Sequence, residues 1–196
     1  MNTQRGLKLP VILMFVLAAP ALAGSGQTGP NPDRRTMPID DQLFVASGSD
    51  VRTITVERLI DAPPQAVWDA WTTESGWKAA YGPDRPELNA NIELAVGGMY
   101  EWLFDGTTGS NGCQVLSYLP PRMLSFTWNA PVAQAQSREK RTWMVIEIEP
   151  EANGTSRVRA TQLGFGEGPH WDETRDYFAQ GWAHVLDQMA EGFASQ

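Results

Sequence analysis

Residues 59–72 read LIDAPPQAVWDAWT, and they carry the chain from one kind of element straight into another. The preceding VRTITVERLI, residues 51–60, alternates and is rich in β-branched side chains, which predicts a strand. Pro63 and Pro64 cannot continue a paired strand, but proline suits the first turn of a helix. Ala66, Val67, Ala70 and Trp71 then recur at helical spacing, with Trp68 on the same broad stripe. The stretch TTESG, residues 72–76, breaks that helix, and a second short helix fits residues 76–80. Helices this short are marginal alone. Their large side chains therefore read as a plug against something bigger.

The bigger element follows. Strand patterns cover residues 91–96, 99–104, 113–119, 123–129, 141–149 and 156–163. The breaks are Gly97-Gly98, Asp105-Gly106, Pro120-Pro121, a polar stretch at 133–140, and Asn153-Gly154. Short connections predict sequential antiparallel pairing. Asn153-Gly154-Thr155 also matches a glycosylation sequon, but a hairpin turn accounts for it. From 170 to 193 the period changes. Trp171, Phe178, Trp182, Val185, Leu186, Met189 and Phe193 form one stripe on a long helix, with Asp172 and Glu173 in its first turn. A sheet of this size is stable only with one face buried. The expected fold is α+β: a curved seven-stranded antiparallel sheet wrapped on a long C-terminal helix, with two short helices after the first strand.

The N-terminus reads as an export signal. Arg5 and Lys8 precede an apolar run at 11–19, about nine residues and too short to span a bilayer. Ala21-Leu22-Ala23 then supplies a small-x-small cleavage site. Residues 24–48 are rich in Gly, Ser, Thr, Pro and Asp and read as a flexible leader. The organisation is thus signal 1–23, leader 24–48 and a single domain 49–196, periplasmic or secreted, with no transmembrane segment after cleavage. The whole chain carries a net charge of −8, and removing the two basic residues of the signal makes it more negative. A nucleic-acid partner needs clustered Lys and Arg, so none is expected. The single cysteine, Cys113, gives no internal disulfide and lies in an apolar stretch, so it reads as a buried hydrophobe.

Few patterns point to catalysis. His170 and His184 are the only histidines, roughly 21 Å apart on one helix at 1.5 Å per residue. That separation rules out a shared metal. Gly164-Phe165-Gly166-Glu167-Gly168 lacks the dinucleotide fingerprint and reads as a turn into the last helix. There is no G-x-S-x-G elbow, and no cofactor is expected. Glu101 and Glu147 sit in strands where either facing is open. An inward one would have a raised pKa and could serve as a base.

The aromatic set is the most informative. Trp102 and Phe104 share a face of one strand, Phe126 and Trp128 of another, and Met144, Ile146 and Ile148 of a third. Phe178 and Trp182 of the long helix stand opposite. The stretches IDAPPQAVWDAWT, VGGMYEW, GCQVLSYLPPRMLSFTW and GTSRVRATQLGF, then YFAQGWAHVLDQM, cover residues 51–194 in order. In these the chain resembles the START-like, birch-pollen-allergen-like helix-grip superfamily (SRPBCC). The branch it is most similar to is the one related to the C-terminal domain of the activator of heat-shock protein 90 ATPase. That activator has a further domain ahead and works in the cytosol, whereas a signal and leader stand there in this chain, so chaperone activation is not carried over.

The resemblance implies a pocket between sheet and helix that takes a small apolar or amphipathic molecule. Its expected lining is Trp77, Trp102, Phe104, Phe126, Trp128, Met144, Ile146, Ala160, Gln162, Phe178 and Trp182. The small residues Ala95, Ala160 and Ala179 among these bulky ones would leave room. Two rival readings stay open. One is an enzyme of the polyketide cyclase, aromatase or hydrolase kind, with Glu101, Glu147 or Gln162 as the first places to look for an inward group. The other is an interaction module with a filled core. Oligomeric state is not legible. The signal reading predicts that sequencing the N-terminus of protein from the cell envelope or medium returns Gly24 first. An intact Met1 on that material would sink it.

Overall fold

The computed structural model describes residues 52–81 and 87–195, so the expected signal and leader, residues 1–23 and 24–48, lie outside the described residues. Strand β1 (Ile54–Ile60) leads through Pro63, extended at φ −68° and ψ 155°, into helix α1 (Pro64–Thr72). Pro64 occupies the first turn, where its missing N–H leaves no hydrogen bond unmade. Thr73 ends α1 and starts α2 (Glu74–Tyr81) by accepting a hydrogen bond from Gly76 N at 3.0 Å, the job of an N-cap hydroxyl. The corner is tight: a Cβ on Gly76 would run into the Asp69 carbonyl. Trp68, Trp71 and Trp77 are all buried. Full burial of such side chains contributes about 1.5–3 kcal/mol each, which is what holds two short helices in place.

The strands that follow are β2 (Asn89–Ile92), β3 (Tyr100–Leu103), β4 (Val115–Leu119), β5 (Met123–Asn129), β6 (Arg141–Pro150) and β7 (Ser156–Leu163). Among the described residues there are seven strands, and all their pairings are antiparallel. The ladder is not continuous, however. Five strands pair in the order β1-β7-β6-β5-β4, and β2-β3 form a separate ribbon. The ribbon joins the β4 edge through Tyr100 N to Cys113 O (2.8 Å), Val115 N to Gly98 O (2.9 Å) and Gly97 N to Val115 O (2.8 Å).

Turn chemistry shortens the ribbon relative to the expected 91–96 and 99–104. Gly97 has φ 80°, and a Cβ on Gly98 would meet the Glu93 carbonyl, so residues 93–98 are folded into the turn. Ala95 therefore lies in that turn and not on the sheet's inner face. The β6–β7 turn has Asn153 at φ 62° and Gly154 at φ 80°, the left-handed pair that a tight hairpin favours. The polar stretch at 133–140 contains one helical turn, α3 (Ala135–Arg138), anchored where Ser137 Oγ meets Thr174 Oγ1 at 2.7 Å.

The long helix α4 (Pro169–Ala194) buries Trp171, Thr174, Phe178, Trp182, Val185, Leu186 and Met189. Alternation on β6 and β7 supplies the facing surface: Thr142, Met144, Ile146 and Ile148, with Ser156, Val158, Ala160 and Gln162. The opposite face of the sheet carries ion pairs from Arg157 and Arg159 to Glu57, with Arg159 also near Glu147. Arg58 of β1 reaches Asp187 of α4 at 2.6 Å. Among the described residues no helix is long and apolar enough to cross a membrane.

The two glycines of α4 predict opposite outcomes. A Cβ on Gly192 would collide with the Ala80 carbonyl of α2, whereas one on Gly181 meets nothing. Gly192→Ala is expected to cost about 1–3 kcal/mol by overpacking. Gly181→Ala should gain about 0.5–1 kcal/mol from helix propensity. Urea denaturation of both variants checks the pair; equal shifts would mean that α4 does not lie against α2.

Candidate functional site: an aromatic cage between sheet and helix

Trp102 sits at the centre of the inner face. Its backbone is held from both sides by the following loop, since Trp102 N donates to Ser110 Oγ (2.8 Å) and Ser110 N donates to Trp102 O (3.0 Å). A Cβ on Gly109 would strike the same carbonyl, so only glycine lets the loop come this close. Around the Trp102 ring lie Trp77 at 4.9 Å, Trp128 at 5.3 Å, Trp71 at 5.6 Å and Trp182 at 6.0 Å between ring centroids. Trp128 and Trp182 touch each other at 5.3 Å, and Trp182 stacks on Phe178 at 6.5 Å. These are contact distances for aromatic rings. Side chains from α1, α2, β3, β5 and α4 thus meet in one cage and fill the space between them.

Of the expected lining, Trp77, Trp102, Phe126, Trp128, Met144, Ile146, Ala160, Gln162, Phe178 and Trp182 are all buried and belong to or face this cluster. Phe104 packs against the same cluster but from outside the strand. It lies beyond the end of β3, where Phe104 N bonds Thr108 O (2.9 Å), and is half-buried at the cluster's edge. Ala160 faces inward, paired with Ile146 on one side and Val56 on the other. Ala179 is half-buried on α4. Trp71 and Tyr100 are members that the sequence reading left out of the site. Tyr100 was within reach of the i, i+2 rule, being two residues before Trp102.

The cage has few polar groups, and they are ordered. Trp182 Nε1 donates to Gln162 Oε1 (2.7 Å), Gln162 Nε2 donates to Thr142 Oγ1 (2.7 Å), and Thr142 Oγ1 donates to the Trp128 carbonyl (3.0 Å). This chain crosses from α4 through β7 and β6 to β5. Tyr100 Oη donates to the Trp71 carbonyl at 2.8 Å, tying β3 to α1. Burial pushes the Tyr100 phenol well above its ordinary range, opposed by the nearby Trp102 indole. That indole N–H nevertheless falls short of hydrogen-bond geometry, and Trp71, Trp77 and Trp102 each bury Nε1 with no acceptor from the protein.

The carboxylates considered for acid–base work lie elsewhere. Glu147 is on the outward face beside Arg159, and Glu101 binds Asn91 Nδ2 (3.0 Å) and the Gly112 backbone N–H at the ribbon's outer face. Gln162 is inward, but a side-chain amide does not ionise at ordinary pH and cannot serve as a general acid or base. Cys113 is buried, and burial raises its thiol to about 11, so it is protonated and unreactive at neutral pH. His184 is exposed and His170 half-buried.

Beside the cage a shallow cleft of about 330 Å³ opens between α2 and β2, lined by Glu74, Ala90, Asn91, Ile92, Glu93 and Met99. Ala90 pairs directly with Trp102 across the ribbon. Directly opposed residues share a face, so the cleft adjoins the cage through Ala90.

The profile of the family described as activator of Hsp90 ATPase homolog 1-like protein matches residues 61–194. The chain belongs to that family. Solved structures agree on the fold. A protein from Mesorhizobium loti is similar at 23% identity and TM-score 0.59, over 74% of this chain and 98% of that one. One from Arthrobacter aurescens is similar at 18% and 0.56, over 78% and 93%. An HSP90 activator from Plasmodium falciparum is similar at 15% and 0.54, over 70% and 92%. No curated protein sequence matches the chain at a significant level.

The Trp182–Gln162 bond gives a graded prediction. Trp182→Ala should cost roughly 3–5 kcal/mol through cavity formation. Gln162→Leu should cost about 1–3 kcal/mol by stranding the Trp182 donor and removing the bond that Thr142 Oγ1 accepts. In the double variant Trp182→Phe/Gln162→Leu the losses should be less than additive. Denaturant unfolding of these three variants and of Trp182→Phe alone checks this; full additivity of Trp182→Phe and Gln162→Leu would mean that the two groups are not bonded.

Proposed function

We propose that this chain is an exported helix-grip protein that takes a small apolar or amphipathic molecule between its sheet and α4. The observation that carries the reading is the aromatic cage itself, with the α2–β2 cleft bordering it at Ala90, the strand partner of Trp102. The cleft offers a route, and the cage offers large apolar faces for desolvation together with a few fixed polar groups, the composition of a small-molecule site. In the described state the rings touch, so uptake requires α2 to swing and carry Trp77 aside. Export rests on the signal-like residues 1–23.

The packing of the rings also supports a second reading, an interaction module whose interior is its own side chains. Dye binding separates the two. An environment-sensitive apolar dye should bind the folded chain one to one, and Ala160→Phe and Ala179→Phe should each weaken that binding with the fold intact. If the parent binds no dye and Ala160→Phe instead loses about 1–3 kcal/mol of stability, the interior is closed core and the interaction module takes the place of the ligand site.

A further inference from the structure

Tryptophan Nε1 is a donor with no acceptor capacity, and a buried indole N–H ordinarily finds a partner. The cage shows that rule both obeyed and broken. Trp182 is satisfied by Gln162 at 2.7 Å. Trp71 and Trp77 are each fully buried, each in contact with the Trp102 ring, and neither has a protein acceptor. Leaving such a donor unmatched costs on the order of 1–3 kcal/mol. Two such donors against one ring are more than a core needs to carry, since apolar side chains can pack a core without an unmatched donor. Trp102 adds a third unmatched donor, although the Tyr100 oxygen lies near it.

Resting on the reading that a ligand enters the cage, we infer that this ligand is a neutral apolar molecule carrying one or more carbonyl-type oxygens, which accept from the indole N–H groups of Trp71 and Trp77. The group must accept, because both protein groups only donate. It must be neutral, because among the described residues no charged side chain is buried. A carboxylate there would be desolvated with no cation to meet it. The body of the ligand must be flat or apolar, because the rest of the surface is ring faces and aliphatic side chains. The donor set sits on α1 and α2, so a bound carbonyl would also fix the two short helices against the sheet.

The test uses three probes of one shape: 2-acetylnaphthalene, 2-ethylnaphthalene and 2-naphthoate. They are titrated into the purified chain, with affinity read by calorimetry and with the indole N–H signals of ¹⁵N-tryptophan-labelled protein followed by NMR. The ketone should bind about tenfold tighter than the ethyl compound, the scale of one or two good hydrogen bonds. It should also shift the Trp71 and Trp77 indole protons downfield, which the ethyl compound should not do. Trp77→Phe should bring the ketone to the level of the ethyl compound. If that variant fails to fold, the indole shifts of the parent decide alone. Equal affinity for ketone and ethyl compound overturns the carbonyl assignment and leaves the ligand site standing. Tightest binding of naphthoate overturns neutrality. Indole signals that already show contact with a slowly exchanging internal water, unchanged by the ketone, mean that water satisfies the donors and overturn the inference. No binding of any probe removes the ligand site itself.

Discussion

The placement of Trp102 is the constraint from which the architecture follows. Its backbone is bonded on both sides to Ser110, and Gly109 is the residue that allows the loop to reach it. Its ring then meets four other tryptophans that come from α1, α2, β5 and α4. Elements far apart in sequence are thereby fixed to one side chain. A ring this large makes many weak dispersion contacts whose sum is substantial, and it tolerates little displacement before they are lost. The ribbon β2-β3, which has only a short backbone junction to β4, is held in register by the same ring.

The two short helices work by the same logic. Neither has the length to be stable alone. Pro64 starts the first, Thr73 links them, and Gly76 lets the corner close. What keeps them folded is Trp68, Trp71 and Trp77 on one side and the close approach of Gly192 to Ala80 on the other. Beyond these buried side chains, the pair is tied to the ribbon by Tyr100 Oη to the Trp71 carbonyl and by Lys78 Nζ to Asn89 Oδ1, both at 2.8 Å. The sheet has the opposite character. Its five-stranded ladder is continuous, and its outer face is tied by Arg157, Arg159 and Glu57. Those exposed ion pairs add little stability, but they keep the outer face polar and leave burial to the inner one.

Much of this was legible in the sequence. The strand–proline–helix junction at 59–72, the strands β5 and β7 and the stripe on α4 were readable because each has a strong local period or a proline that permits only one continuation. The alternation also placed Phe126, Trp128, Met144 and Ile146 together correctly. The ribbon was harder. Residues 93–98 look like strand and glycine break, but the close approach of Gly98 to the Glu93 carbonyl draws Ala95 into the turn. Phe104 alternates with Trp102 yet falls past the strand end, because the loop returns to bond at Thr108.

The sequence by itself determined the fold class, the order of its elements and which faces are apolar, since these depend on periods of two and 3.6 residues and on the stereochemistry of proline and glycine. It left open the facing of Glu101 and Glu147, the membership of Trp71 and Tyr100 in the cage, and the fate of every indole N–H. Only the tertiary structure decided those. A hydrogen-bond partner such as Gln162 for Trp182, or its lack for Trp71 and Trp77, depends on which side chains from distant segments arrive at the same few ångströms. No local period encodes that meeting.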